Sequence, residues 1–242
     1  MQLFYSPDAA EGLFTLDAEE SRHAVRVLRL REGDEINVTD GRGNLFACRI
    51  VTADDRACSV DVAETLSTFH SPFSTFHLHL AVAPTKNPSR MEWLVEKAVE
   101  IGVGEITLLQ CDHSERTFLK TERLEKLAVS AMKQSLHTVL PAIHPAVKLS
   151  DWLRSPLPTA HCPLKFIAHC EADKPRTPLA FALQPGQDAV VLIGPEGDFS
   201  EEEIALALEN GFQPVSLGPS RLRTETAALY AVTAFNLIND RP

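Results

Sequence analysis

The sequence predicts an α/β fold in two parts: a small β-barrel domain, then a larger domain whose parallel sheet is covered by helices. Three observations carry this reading. Residues 1–70 contain several short stretches of alternating character and one helical stretch, the pattern of a small barrel. Residues 67–74 bring Ser, Thr, His and Pro72 together, which is linker composition. From residue 76 onward strand-like and helix-like stretches alternate to the end, and such alternation implies a parallel sheet buried on both faces. The domains therefore read as 1–70 and 74–242, sizes that suit a small companion to one main core.

Each element has its own signal. In the first part, residues 19–27 read as a helix. Residues 34–39 and 45–51 read as strands joined by Asp40-Gly41-Arg42-Gly43, the chemistry of a hairpin turn. Residues 57–62 give a third strand. In the second part, residues 76–83 read as a strand, and Ser89 followed by Glu92 suggests a capping box. Met91, Leu94, Val95, Ala98 and Ile101 share one helical face, and Gly102 stands where that helix should stop. Further strands are expected at 106–109, 165–169, 189–193 and 214–217. Helices are expected at 122–136, from a Ser200/Glu203 capping box to Gly211, and at 224–238.

Composition sets limits on function. The chain has 242 residues, 44% of them hydrophobic and 23% charged, as in an ordinary globular protein. The start has neither a basic nor an apolar leader segment, and no run approaches the length of a membrane span, so a cytoplasmic protein with no membrane contact is expected. The five cysteines, Cys48, Cys58, Cys111, Cys162 and Cys170, are odd in number and lack C-x-x-C spacing. Free thiols fit better than disulfides or a metal site, and no metal is expected. The formal net charge of −10 argues against binding nucleic acid through bulk charge. A local surface remains open to it, because Arg22, His23, Arg26, Arg29 and Arg31 form a basic run that Lys86 and Arg90 would extend. Such residues track phosphates; the alternative is a solvated helix face.

Two segments stand out for chemistry. In Leu192-Ile193-Gly194-Pro195-Glu196-Gly197-Asp198-Phe199-Ser200 a buried strand runs into a Gly/Pro turn and a capped helix. Ligands sit at such carboxyl ends of parallel strands, although plain connectivity has the same look. In Leu217-Gly218-Pro219-Ser220-Arg221-Leu222-Arg223-Thr224-Glu225-Thr226-Ala227 two arginines crowd a helix start. A cation there costs about 0.3–1 kcal/mol, whereas Glu225 complements the dipole. The arginines imply either an anionic partner or a local salt bridge. Neither segment matches G-x-G-x-x-G, a P-loop or a G-x-S-x-G elbow, which disfavours dehydrogenases, NTPases and α/β-hydrolases.

Taken together, Gly-Pro-Glu-Gly after a buried strand and Leu-Gly-x-x-x-Leu-Arg-Thr-Glu-Thr-Ala about twenty residues later resemble the SPOUT class of trefoil-knotted methyltransferases. The chain looks most like the RsmE family of 16S rRNA uridine-N3 methyltransferases. Ser21 to Arg29 resembles the family's N-terminal signature, residues 86–102 its first methyltransferase helix, and Met132-Lys133-Gln134-Ser135 with Pro141 its central Gln motif. Three positions depart from the pattern. Lys133 stands where Glu is frequent, His137 where Arg is frequent, and Asp198 where a second Gly is usual.

The resemblance implies a PUA-like barrel followed by a knotted α/β domain, with S-adenosylmethionine as cofactor, 16S rRNA within the small ribosomal subunit as substrate, and a homodimer as the working form. It implies a cofactor pocket from Leu192, Ile193, Gly194, Glu196, Gly197, Leu217, Gly218, Leu222, Arg223, Thr224 and Thr226. Arg223 is the catalytic candidate for stabilising the uracil anion, with Glu225 orienting it or accepting a proton. Arg22, His23, Arg26, Arg29, Arg31, Lys86 and Arg90 are the implied RNA contacts. The last helix, with Leu229, Val232, Phe235 and Leu237, is either a dimer face or ordinary core. A related methyltransferase acting on another RNA, and a non-catalytic RNA-binding assembly factor, are the competing readings.

Overall fold

The computed structural model describes residues 2–66, 76–116, 119–155, 163–171 and 175–239. The expected linker at 67–74 and Cys162 lie outside them. The chain separates into two compact units, Met1–Pro72 with Val129–Leu140, and Phe73–Ala128 with Pro141–Pro242.

The first unit is built on a five-stranded sheet of β1 (Leu3–Tyr5), β2 (Leu13–Thr15), β3 (Glu35–Thr39), β4 (Leu45–Thr52) and β5 (Ser59–Leu66), in the order β1-β3-β4-β5-β2. The β3–β4 pair is the expected antiparallel hairpin. Phe4 on one edge strand and Phe14 on the other join a single core with Val38, Phe46, Ile50 and Val60. A flat sheet could not bring its two edges to one core, so this one curls. Helix α1 (Ala18–Arg22) starts at Asp17, whose side chain accepts from the Glu19 and Glu20 amides, and continues as a π-type turn over His23–Val27. Ser21 fixes it to the sheet: its hydroxyl donates to the Leu16 carbonyl at 3.1 Å and accepts from the Cys58 amide at 2.9 Å.

Val129–Leu140 completes this unit. The Leu140 amide donates to the Gly41 carbonyl at 2.8 Å and the Gly43 amide to the Thr138 carbonyl at 2.9 Å. Lys133 forms an ion pair with the buried Glu20. The lysine found in place of the family's frequent Glu is thus spent on an internal partner.

The second unit has a seven-stranded sheet in the order β10-β12-β9-β11-β6-β7-β8, and every ladder is parallel. Its strands are β6 (Leu78–Val82), β7 (Glu105–Gln110), β8 (Ala142–Lys148), β9 (Leu164–Ala168), β10 (Thr177–Pro178), β11 (Ala189–Ile193) and β12 (Gln213–Ser216). Its helices are α2 (Pro88–Ile101), α3 (Thr121–Gln134, which ends in the first unit), α4 (Leu149–Arg154), α5 (Leu179–Ala182), α6 (Glu201–Glu209) and α7 (Thr224–Asn239). Both central strands, β6 and β11, are buried along their whole length. Val190 and Leu192 enter a core with Trp152 of α4 and Ile204 of α6. Val191 and Ile193 point the other way and are equally buried, on the side where α7 packs against β6, β11 and α2.

Two expectations need correction. Helix α2 is capped by Asn87, whose side chain accepts from the Ser89 amide at 3.0 Å, and no Ser89/Glu92 box forms. Pro88 explains this: with no N–H and a fixed φ it suits the first helical position, which moves the cap back to Asn87. Glu92 instead pairs with Arg123 at 2.6 Å. Helix α3 stops at Gln134, short of Leu136, which adopts a left-handed φ of 62°. The sequence reading also passed over β8, whose Pro145 is tolerated because β8 is an edge strand. The second capping box is present as expected, with both Ser200 and Glu203 bonds made.

Candidate active site

The carboxyl ends of β9, β11 and β12 lie side by side, and the loops leaving them enclose a cavity of about 760 Å³. This is where a parallel sheet presents its ligand site. Three walls can be assigned. Ala168 ends β9, and His169, Cys170, Glu171 and Arg176 follow it; Ile193 ends β11, and Gly194, Pro195, Glu196 and Asp198 follow it; Val215 and Ser216 end β12, and residues 217–224 with Ala227 follow it.

The β11 loop is held from several directions. The Asp198 amide closes a turn onto the Pro195 carbonyl at 3.0 Å. Nδ1 of His113 lies 3.1 Å from the carbonyl oxygens of both Gly197 and Asp198. A side chain at Gly197 would put its Cβ 2.9 Å from the Cβ of His113, so only glycine fits beneath this clamp. The loop then enters α6 through Ser200, whose hydroxyl donates to Asp112 at 2.7 Å, while Glu203 accepts from the amides of Ser200 and Asp112 at 3.0 Å each. Burial raises the Glu203 carboxyl above its ordinary value, opposed by those amide bonds.

The β12 segment closes over this loop. The hydroxyl of the buried Thr224 donates to the Gly194 carbonyl at 3.1 Å, and the Arg221 guanidinium lies 3.5 Å from the Glu196 carbonyl. Gly218 has a φ of 105° with open space where a Cβ would stand, so the backbone turns there without a side chain entering the cavity. The two sequence motifs are therefore one site.

The predicted residues divide clearly. Ile193, Gly194, Glu196, Leu217, Gly218, Leu222, Arg223 and Thr224 line the cavity. Leu192, Gly197 and Thr226 do not. Strand alternation sends Leu192 into the α4–α6 core, Gly197 backs onto His113, and Thr226 is exposed outside the lining while Ala227 faces in. Glu225 is also outside the lining; it is largely buried and lies 3.6 Å from Arg90. Arg221 and Arg223 are exposed and form no ion pair among the described residues. Lys86 pairs with Glu115 at 2.6 Å, and its amide donates to Glu196 at 3.0 Å.

In the first unit Arg22, Arg26, Arg29 and Arg31 are all exposed. Arg26 pairs with Asp55; Arg22, Arg29 and Arg31 form no ion pair among the described residues. His23 is half-buried, edge-on to Phe4 with ring centroids 5.9 Å apart. His137, found where Arg is frequent, is buried.

The wall after β9 was missed. His169, Cys170, Glu171 and Arg176, whose guanidinium donates to the His169 carbonyl, belong to no motif. The signal was available: β9 was expected, and the rule about carboxyl ends applies to it as well as to β11. Cys48, Cys58, Cys111 and Cys170 are free thiols. No helix is long and apolar enough to cross a membrane, and no group of three or more potential ligands is arranged to hold a metal, among the described residues.

The profile of the RNA methyltransferase domain matches residues 72–236, and that of the RNA methyltransferase PUA domain matches residues 16–63. A ribosomal RNA small subunit methyltransferase E of Aquifex aeolicus is 30% identical over 96% of this chain and 98% of its own. The crystal structure of a "probable rRNA-methyltransferase" from Porphyromonas gingivalis superposes with a TM-score of 0.90 at 42% identity, covering 99% of this chain and 98% of that one. A ribosomal RNA small subunit methyltransferase E from Neisseria gonorrhoeae, bound to S-adenosyl methionine, gives 0.82 at 26% identity with the same coverage.

Proposed function

The chain belongs to the ribosomal RNA small subunit methyltransferase E family, and from that premise we propose that it methylates N3 of a uridine in 16S rRNA, using S-adenosylmethionine. The observation that carries the reading is the single cavity formed by both motifs at the sheet's carboxyl edge. Its fit to the cofactor is physical. The walls offer apolar contacts from Ile193, Leu217, Leu222 and Ala227, and backbone groups around Gly194 and Gly218 for a nucleoside. About 760 Å³ leaves room beyond the cofactor for a base.

When bound, the cofactor supplies an electrophilic methyl group on a sulfonium. The protein's part is to align the uracil and favour its N3 anion, since N3 is a poor nucleophile until its proton leaves. Arg223, exposed at the cavity and free of ion pairs among the described residues, is the group for this: a guanidinium keeps its charge and presents a planar fork of donors. Glu225 acts from behind the cavity wall, holding Arg90. The Arg22, Arg29 and Arg31 surface engages phosphates.

Residues 1–70 serve as the PUA-like RNA-binding domain and 74–242 as the SPOUT domain. The contacts of Thr224 and Arg221 with the Gly194–Glu196 backbone support a tail passed through that loop as a knot. A homodimer is supported by apolar surface left on the packed pair α2 and α7, at Trp93, Tyr230 and Leu237. Val232 and Phe235 are core instead. The site of action is the cytoplasm.

The test is transfer of labelled methyl from S-adenosylmethionine to small subunits lacking the modification, with the product nucleoside identified. N3-methyluridine is expected, and Arg223→Ala should lower kcat by about a hundredfold, the scale of one preorganised donor. Cofactor binding without transfer to any RNA would overturn the enzyme reading.

A further inference from the structure

Asp198 occupies a backbone conformation that a side chain normally avoids. Its φ is 65°, in the left-handed region where a Cβ is unfavourable and which only Gly, Asn and Asp visit readily. The neighbouring Gly197 is fixed as glycine by His113, but nothing comparable excludes glycine at 198, where the family usually has it. The carboxylate has a defined use. Oδ2 accepts from the Cys170 amide at 2.7 Å and Oδ1 from the Phe199 amide at 2.9 Å. Cys170 belongs to the wall after β9, and Asp198 to the wall after β11. Both residues line the cavity.

We propose that Asp198 is a positioning residue: its carboxylate ties the β9 loop to the β11 loop and fixes the width of the cofactor cavity. The role rests on the assignment of this cavity to S-adenosylmethionine. The bond links the wall carrying His169, Cys170 and Glu171 directly to the β11 loop, above the sheet that joins their strands. A charge-assisted bond of this kind is among the stronger ones available to a loop, and loop order lost on substitution must be restored when the cofactor binds.

Asp198→Gly removes the carboxylate while making the left-handed backbone easier, so the fold is retained, as thermal melting will verify. Asp198→Asn keeps one acceptor for Cys170 and tolerates the same φ. Two readouts are needed: amide exchange at Cys170 in the cofactor-free protein, and calorimetric affinity for S-adenosylmethionine. The glycine variant should expose the Cys170 amide and weaken cofactor binding roughly tenfold, the scale of one such hydrogen bond. The asparagine variant should recover most of both. Slow Cys170 exchange in the glycine variant overturns the brace, and fast exchange with unchanged affinity overturns its role in positioning. An asparagine variant as impaired as the glycine one would mean that charge acts rather than geometry. If the wild-type protein fails to bind the cofactor, the positioning role falls with the cofactor assignment, while the exchange result still decides whether the brace exists.

Discussion

Thr224→Val separates a hydroxyl from its shape. Thr224 is 4% exposed, and its Oγ1 donates at 3.1 Å to the carbonyl of Gly194, thirty residues earlier. Valine fills the same volume but cannot donate, so a buried carbonyl at the cavity loses this partner. Leaving such a group unsatisfied costs about 1–3 kcal/mol. For a chain of this size each kcal/mol lowers Tm by about 2–4 °C, so a fall centred on about 6 °C is expected. The loss falls where the tail closes over the β11 loop, so affinity for S-adenosylmethionine should drop as well. Thr224→Ser, which keeps the donor, should recover both. The assays are thermal melting and calorimetric titration of the cofactor. A valine variant that melts within about 1 °C of wild type, or a serine variant as unstable as valine, would refute the reasoning.

Three further outcomes are expected. His79 is 3% exposed, its Nε2 lies 2.7 Å from the Thr107 hydroxyl, and burial holds its pKa down to about 4 against the pull of Glu105. Because the unfolded imidazole protonates near 6.5, stability is full above that pH and falls by about 3 kcal/mol as pH drops towards 4; urea unfolding across that range should show a shallower slope for His79→Gln. Lys133→Met leaves Glu20 buried without its counter-ion and should cost about 3–5 kcal/mol; adding Glu20→Gln should restore most of it in the same unfolding assay. Replacing Arg22, Arg29 and Arg31 together by Gln should reduce the slope of log K against log salt for single-stranded rRNA by about 2, as expected for three phosphate contacts; an unchanged slope would make the run a solvated face.

Much of the second unit was legible because parallel strands and their helices leave strong periodic signals. Residues 189–193 are apolar throughout, as a strand buried on both faces must be, and Ser200/Glu203 announces α6 through its own chemistry. What was lost had weak or competing signals. Ser89/Glu92 has the spacing of a box, but Pro88 decides the helix start. β8 carries a proline that marks a loop anywhere but at an edge. The membership of Val129–Leu140 in the first unit depends on contacts with Gly41, Gly43 and Glu20, which no local pattern encodes. The site divided in the same way. The two glycine motifs were visible as turns, whereas His169 to Arg176 form a wall only because β9 lies beside β11 and β12.

The charge balance now has a physical answer. A chain with net charge −10 can serve an anionic substrate only if particular cations stay uncommitted. Several are committed: Arg26 to Asp55, Lys86 to Glu115, Arg90 to Glu225, and Lys133 to Glu20. Among the described residues Arg221 and Arg223 form no ion pair. Arg223 immediately precedes α7, whose amino end repels a cation by about 0.3–1 kcal/mol. Glu225 in the first turn would be its natural partner, yet Glu225 is turned to Arg90. The guanidinium is thus held at a cavity, at an electrostatic cost, with its compensating carboxylate directed elsewhere. No described residue offsets that cost, and this is the observation behind the proposal that Arg223 meets an anion in the cavity, as a phosphate or as a uracil that has given up its N3 proton.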